Sequence, residues 1–294
     1  MIYKVAFWVI IFFLGYNVYL IEFPLKNGDY YMLQEKAEDF VFDNRHYDTI
    51  LVGSSLVRHF RNIPIFQGKQ FYNLFLNGSS AASGIELIIK SGKIPKVLFV
   101  ETHHLTKGLN DTLIKNVFQG YSIKQFLPAL QSKHKFLNII IKKIKPQIKK
   151  LDSRGVFFRE IFYHHIEQLR HEYSSISDSL KYIQHLNKVD MQLQYLTAKG
   201  CTIYLFEVPI EKELALSKRA KFLRFKNHQI LNNKNYQWIP YDYHNFYKTT
   251  DGIHLLQNES YIYEKYIEWC FQRARKKDLI NKRRATLKPL GSDS

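Results

Sequence analysis

The residues best suited to chemistry are a serine that follows a short apolar run, and an acid and a histidine near the C-terminus. Ser55 lies two residues after Gly53, which permits a tight turn, and we expect a helix to begin there. Asp251 precedes His254 by three residues, a spacing at which a carboxylate can fix the imidazole tautomer and leave the other nitrogen free as a base. The three residues predict acyl transfer at the serine. The oxyanion that develops on the substrate carbonyl would there face helix N–H groups and the positive end of a helix dipole. The alternative role for this serine is an N-cap, for which serine is favoured at any helix start.

Other chemistries have little support in the sequence. The small residues 77–84 let backbone N–H groups approach a substrate oxygen, but they lack the Gly-Lys-Ser/Thr of a phosphate loop, and no Gly-x-Gly-x-x-Gly occurs. His103 and His104 could supply half of a metal site, yet no acid or histidine follows at ligand spacing. Cys201 and Cys270 are too few for a disulfide framework. The sequence therefore predicts neither a metal nor a cofactor.

Apolar runs alternate with helical patterns along the chain and must position these residues. Short β-branched runs predict strands at residues 48–52, 70–76, 96–100, 202–208 and 236–239. Helical spacing predicts helices at residues 85–89, at 180–196 with Gly200 as the C-cap, from Pro209 to about 231, and at 259–275. An amphipathic stretch covers residues 30–42. Strands separated by helices indicate a parallel α/β sheet, with chemistry at the C-terminal strand ends.

The first residues of the chain resemble a membrane segment. Val5 to Ile21 holds no charge and one strongly polar residue, Asn17, which is at the short end of what crosses a ~30 Å hydrocarbon core. The residues that follow lack the small-residue pattern of a signal-peptidase site, so we predict an uncleaved signal anchor. The alternative is a buried helix of a soluble protein. Lys4 and Lys26 flank the segment almost symmetrically, so charge alone does not orient it.

The chain is strongly basic, with a net charge of +17 over 294 residues, of which 46% are hydrophobic. Residues 131–150 hold seven lysines and no acid, and residues 271–294 hold eight basic and two acidic residues. Residues 136–150 place isoleucines opposite lysines, which suits a helix on an anionic bilayer and equally a core-packed helix with a solvated basic face. Nucleic-acid binding is disfavoured, because the aromatic residues are not interleaved with the lysine clusters.

Three blocks of the sequence resemble the SGNH/GDSL hydrolase superfamily. Residues 48–58 resemble its first block, with Ser55 as the nucleophile and Ser54 at the position of the usual aspartate. Residues 74–80 resemble the second block, and residues 251–254 resemble the fifth. The resemblance spans about residues 46–270 and implies a three-layer α/β/α sandwich around a parallel, flavodoxin-like sheet.

The resemblance also implies roles for individual residues. Asp251 would orient His254 as general base, and the oxyanion hole would comprise the N–H groups of Ser55 and Gly78 together with His103. The family usually has an asparagine at the last of these positions, so this chain departs from the pattern there. Three further residues of the first two blocks would contact substrate, namely Ser54, Arg58 and Asn77.

The N-terminal anchor and the Gly-Ser-Ser version of the first block resemble the bacterial branch that modifies envelope polymers, including alginate O-acetylation proteins and the teichoic acid D-alanylation protein. The implied domains are an anchor at 1–24, an SGNH-like domain at 25–276 with a helical insertion at about 120–175, and a basic tail at 277–294. The implied function is an extracytoplasmic serine acyltransferase or esterase acting on O-acyl groups of a surface polysaccharide, beside a multi-spanning acyltransferase in the cytoplasmic membrane. The alternative is a silent member that binds a glycan or such a partner.

Overall fold

A five-stranded parallel sheet forms the centre of the molecule. The computed structural model describes residues 1–22, 33–61, 64–67, 70–134, 159–176, 178–243 and 245–286. Its strands are β1 Thr49–Gly53, β2 Phe71–Phe75, β3 Val97–Glu101, β4 Thr202–Phe206 and β5 Tyr236–Trp238, in the spatial order β2-β1-β3-β4-β5. The five apolar runs thus all form strands, and the predicted parallel α/β sheet is confirmed. The order reverses between β1 and β3, where such sheets open a crevice at their C-terminal ends.

Both faces of the sheet are buried, which explains why its strands read as continuous apolar runs. Ile50 and Val52 of β1 pack into one hydrophobic cluster, whereas Leu51 between them packs into another. This alternation follows from the period of two along a strand. The first cluster includes buried apolar residues from the ranges 37–41, 81–88 and 182–196, and the second includes those from the range 263–271. Helices therefore cover the sheet from both sides.

The described helices include those that the sequence predicts, with some differences in number and extent. They are α1 Ile2–Glu22, α2 Leu33–Phe42, α3 Ala81–Ser91, α4 Asp111–Phe118, α5 Tyr121–Phe126, α6 Arg159–Ser174, α7 Ser179–Ala198, α8 Lys212–Ala215, α9 Lys218–Ile230 and α10 Gln257–Thr286. The single helix predicted after Pro209 is two helices, because Ser217 caps a new start by accepting a hydrogen bond from the Ala220 N–H. The last helix continues beyond the predicted Arg275, and the described part of the amphipathic stretch is the helix Leu33–Phe42. Gly200 follows α7 with φ +88°, as predicted for a C-cap.

Helix α1 is long and apolar enough to cross a membrane. Most of its apolar side chains are exposed, which disfavours the alternative of a core helix of a soluble protein. Asn17 and Leu20, near its C-terminal end, are the residues of this helix that are buried against the rest of the chain.

Some predictions fall on other parts of the chain. The basic segment 136–150, residues 135–158 of the insertion predicted at about 120–175, and the end of the tail from 287 onward lie outside the described residues.

Candidate active site

The turn after β1 assigns different partners to two adjacent serines. Ser54 is the N-cap of a one-turn 3-10 helix, and its Oγ accepts a hydrogen bond from the Leu56 N–H at 3.3 Å. Ser55 directs its Oγ instead to Nε2 of His254, 2.8 Å away. Capping and the contact to the histidine were alternatives for one serine in the sequence, and the structure divides them between two.

The predicted helix-dipole contribution at Ser55 is wrong. The helix there is a 3-10 turn of three residues, Ser55–Val57. Three peptide units cannot sum to the macrodipole of an α-helix, so any stabilisation of negative charge must come from individual N–H groups.

Asp251 and His254 are held in one tight loop before α10. Asp251 accepts hydrogen bonds from the His254 N–H at 2.9 Å and from its Nδ1 at 2.7 Å. A carboxylate only accepts, so Nδ1 carries the hydrogen and Nε2 is left as the acceptor for the Ser55 hydroxyl. Burial alone would raise the pKa of Asp251, but the hydrogen bonds and charge of His254 outweigh it and lower that pKa. The three side chains form a continuous Asp–His–Ser relay.

Two glycines permit this arrangement. A Cβ on Gly53 would lie 2.7 Å from Val57 and 2.8 Å from Glu101, so only glycine lets the turn after β1 lie against β3. Gly252 has φ +98°, and a Cβ there would lie 2.7 Å from Ile166. Gly53 precedes the two serines, and Gly252 lies between Asp251 and His254. Both turns that carry relay residues therefore need a glycine.

Glu101, which belongs to none of the sequence motifs, joins the serine turn to the loop after β3. Its fully buried carboxylate accepts hydrogen bonds from the backbone N–H groups of Ser54 at 3.0 Å, of His104 at 3.2 Å and of His103. Burial raises the pKa of Glu101, and these donors oppose that rise. The sequence feature that could have identified Glu101 is an acid at the end of an apolar strand run. Such an acid is expected to be buried, and a buried carboxylate needs several hydrogen-bond donors around it.

If Ser55 acts as a nucleophile, replacing Glu101 with glutamine is expected to lower kcat with little change in KM. The amide keeps one acceptor oxygen but leaves one buried N–H without a partner, which costs about 1–3 kcal/mol and loosens the serine turn. Because the residue does not line the cavity beside Ser55, we expect a loss in kcat of roughly 10- to 100-fold, as for a small misplacement of a reacting group. Steady-state kinetics with an activated ester measures both constants. Glu86→Gln, at an acid of α3 paired with Lys90, is the matched control; equal losses in both variants would contradict the positioning role.

His103 lines the same cavity as Ser55 and His254. Its Nε2 is 2.7 Å from the Tyr173 hydroxyl. Burial, followed by the charges of Arg224 and Arg219, lowers the pKa of His103 to about 3, so its ring is neutral at neutral pH. A neutral ring carries one N–H. When Tyr173 donates to Nε2, that hydrogen is on Nδ1, which can then donate a hydrogen bond to an oxyanion.

The Ser55 cavity is the space of about 540 Å³ that is lined by Ser55, His254 and His103 and by residues of α6, α7 and α9. Basic side chains predominate among its charged residues, which are Lys107, Glu172, Asp178, Lys181 and Arg219. Aromatic and aliphatic side chains complete the wall, including Tyr173, Tyr182 and Phe222. The cavity can thus hold a polar substrate with one apolar portion.

The other predicted site residues lie outside the wall of this cavity. Ser54 is completely buried, and neither Arg58 nor Asn77 lines the Ser55 cavity. Gly78 has φ +75° and is exposed at its edge, where Lys107, a lining residue, places Nζ 3.5 Å from the Gly78 carbonyl oxygen. Ser54 therefore acts on the turn and not by direct contact.

Nothing in the sequence indicated that residues of α6, α7 and α9 line the Ser55 cavity. Tyr173 of α6 and Arg219 of α9 reach it from distant parts of the chain, and Arg219 lies 5.6 Å from the centre of the Tyr173 ring. Within the described ranges, no group of three or more His, Cys, Asp or Glu side chains could hold a metal ion.

Comparisons with protein-family models, with curated proteins and with solved structures found no match for this chain.

Proposed function

We propose that this protein is a serine-dependent O-acyltransferase or carbohydrate esterase of the SGNH type. The observation that carries the proposal is the relay in which Ser55 Oγ is 2.8 Å from His254 Nε2, and Nδ1 of the same ring is 2.7 Å from Asp251. A base within hydrogen-bond reach of a hydroxyl and held by a third group is the arrangement that activates a serine nucleophile.

In the first half of the reaction, His254 Nε2 takes the proton of the Ser55 hydroxyl while Oγ attacks the carbonyl carbon of an acyl donor. The tetrahedral intermediate collapses when the leaving oxygen takes that proton from His254, which leaves an acyl group on Ser55. Asp251 stabilises the imidazolium between these steps. The N–H groups of Ser55 and Gly78 and the ring of His103 are the proposed oxyanion donors.

In the second half, an acceptor hydroxyl gives its proton to His254 Nε2 and attacks the acyl carbon on Ser55. The tetrahedral intermediate collapses as Ser55 Oγ takes that proton back from His254, which frees the serine and restores the neutral histidine. A sugar hydroxyl as acceptor makes the protein a transferase, and water makes it an esterase. The wall of the Ser55 cavity combines charged side chains of both signs with aromatic ones, which supports a glycan substrate that bears O-acyl groups, with acetyl as the proposed group.

The fold and location belong to the same proposal. The strand order, the buried sheet faces and the helices around them support a three-layer, flavodoxin-like SGNH domain. Helix α1 supports a single-pass anchor in the bacterial cytoplasmic membrane, with the catalytic domain outside. The partners would be a cell-surface polysaccharide and a multi-spanning membrane O-acyltransferase.

An acyl-enzyme trapped on Ser55 is the expected outcome that tests this function. Incubation with an activated acetyl ester, acid quenching, proteolysis and mass spectrometry should place one acetyl group on the peptide that contains Ser55. Fragment ions separate this serine from Ser54, which serves as the internal control because it is completely buried. Acetylation confined to surface lysines would contradict the proposal, since lysines react without a catalytic relay.

A catalytically silent member that binds a glycan or a membrane acyltransferase is the second candidate. The observations that favour it are that Gly78 does not line the Ser55 cavity and that His103 already contacts Tyr173. The family resemblance would place an asparagine at position 103. An oxyanion hole with one secure donor would leave Ser55 weakly reactive. Absence of the acyl-enzyme together with retained glycan binding would select this function.

A further inference from the structure

Helix α1 is fastened to the folded domain through a polar residue inside its apolar sequence. Asn17 donates from Nδ2 to the Phe13 carbonyl oxygen at 2.8 Å and accepts on Oδ1 from the Ala129 N–H at 2.9 Å. Asn17 is 3% exposed and Leu20 is 2% exposed. The end of α1 thus packs on the short 3-10 turn Pro128–Leu130, which directly follows α5.

The length of α1 fixes the depth of this contact in a bilayer. Its 21 residues rise about 31 Å, which only just matches a hydrocarbon core of about 30 Å. If α1 spans the bilayer, Asn17 lies about 8 Å from its C-terminal end at Glu22, since each residue rises about 1.5 Å. No length of helix is left over to hold the domain away, so the turn that bonds Asn17 must lie at the lipid interface or up to about 8 Å below the edge of the hydrocarbon core.

The side chains of this region suit such a position. Ile123 and Phe126 share one face of α5 and are 58% and 75% exposed, and Leu130 of the following turn is 38% exposed. Lys124, the lysine of α5, directs its Nζ to Glu38 at 3.0 Å and to the Asn116 carbonyl oxygen at 2.7 Å. The exposed side chains of residues 121–130 are therefore apolar or uncharged.

The backbone N–H groups of residues 127–131 are also paired without water. The N–H groups of Leu127, Leu130 and Gln131 donate to carbonyl oxygens within the segment, Pro128 has no N–H, and Ala129 donates to Asn17. Irregular backbone tolerates an apolar surrounding only when its polar groups are paired in this way.

We propose that Ile123, Phe126 and Leu130 form an apolar patch that inserts into the lipid interface beside α1, as a second membrane contact. This inference rests on α1 spanning the bilayer, which is part of the proposed function. The patch and the Asn17 contact together hold the domain in one orientation on the membrane. The occupant of the patch is lipid, because the patch is continuous with the surface of the spanning helix.

Fluorescent labelling of the full chain in nanodiscs of phosphatidylcholine and phosphatidylglycerol tests the insertion. Cys270 is replaced by serine, and Cys201 remains because burial raises the pKa of its thiol to about 12 and keeps it unreactive. The variants Phe126→Cys and Ile123→Cys then carry an environment-sensitive fluorophore at the patch. A second reporter at the patch covers the case in which one variant fails to fold.

Two further positions complete the design. Val9→Cys, in the middle of α1, reports whether that helix spans the bilayer. Phe225→Cys is the matched control, because Phe225 is an exposed aromatic residue of α9 with 63% exposure and no link to α1. The quenchers are lipids with a nitroxide either near the headgroup or near the end of the acyl chain.

Labels at 126 and 123 are expected to lose most of their emission to the headgroup-level nitroxide and to shift to the blue, while the label at 225 does neither. The label at 9 should be quenched by the deep nitroxide. Quenching at 9 with water-like emission at both patch positions would overturn the insertion while leaving the anchor intact, and would indicate a protein partner for the patch. Water-like emission at 9 as well would overturn the inference together with the proposed anchor.

Discussion

Replacing Ser55 with alanine is expected to lower kcat for ester turnover by roughly 10⁴- to 10⁶-fold, the size of effect seen when a nucleophile of such a relay is removed. The acyl group then has no oxygen to bond to, and His254 loses its 2.8 Å partner. Because Ser55 Oγ faces the cavity rather than the core, the thermal unfolding temperature should remain nearly unchanged. Stopped-flow or colorimetric kinetics and a serine-directed phosphonate probe measure the loss.

Ser54→Ala is the matched control for this variant, since it removes the same hydroxyl from the adjacent residue. Ser54 caps the 3-10 turn and also contacts Glu101, so its loss should cost about 1 kcal/mol of unfolding free energy. Its kcat should stay within about tenfold of the parent, because the relay itself is intact. If the two alanine variants lost activity equally, Ser55 would not be the nucleophile.

Replacing Asp251 with asparagine is expected to lower kcat by about 10³- to 10⁴-fold, as expected when the histidine is held in the wrong tautomer. The new amide can donate to Nδ1 of His254, which moves the ring hydrogen to Nε2. That nitrogen then has no lone pair for the proton of Ser55. Substrate affinity should change little, since Asp251 does not line the cavity. Single-turnover kinetics separates the acylation step from substrate binding.

The control for Asp251→Asn is Asp242→Asn, the same change at a nearby acid with a structural role. Asp242 is buried and accepts hydrogen bonds from the Tyr247 hydroxyl at 2.6 Å and from Asn245 at 2.7 Å. We expect a loss of stability of about 1–3 kcal/mol there, with kcat within about tenfold of the parent. A larger kinetic loss in this control than in Asp251→Asn would mean that the loop, and not the histidine tautomer, controls turnover.

The strands and the Asp–His pair were predictable because their physical causes are local. A strand buried on both faces must be apolar at successive positions, and all five apolar runs do form strands. Asp251 and His254 are three residues apart, so one tight loop suffices to join them. The break between α8 and α9 was missed because the basic pattern runs on through Leu216, while a single hydrogen bond of Ser217 decides where the second helix begins.

The rest of the candidate site depends on contacts that no local pattern encodes. Ser55 and His254 are separated by 199 positions in sequence, and only the sheet topology brings them within 2.8 Å. In the sequence Glu101 looks like an ordinary polar residue. In the structure it accepts hydrogen bonds from three N–H groups at two strand ends. Tyr173 and Arg219 reach the Ser55 cavity from helices whose patterns fix only which face is apolar.

The sequence by itself determined the α/β class, the apolar N-terminal helix and the residue types able to do acyl chemistry. These features depend on burial and on hydrogen bonds between near neighbours in the chain, which local residue patterns show. Only the tertiary structure decided which of two adjacent serines meets the histidine and which one caps the turn. Ser54 and Ser55 are chemically identical, and backbone direction at the end of β1 separates their roles. That direction is set by the packing of Gly53 against Glu101 on the neighbouring strand, a contact between residues far apart in the chain.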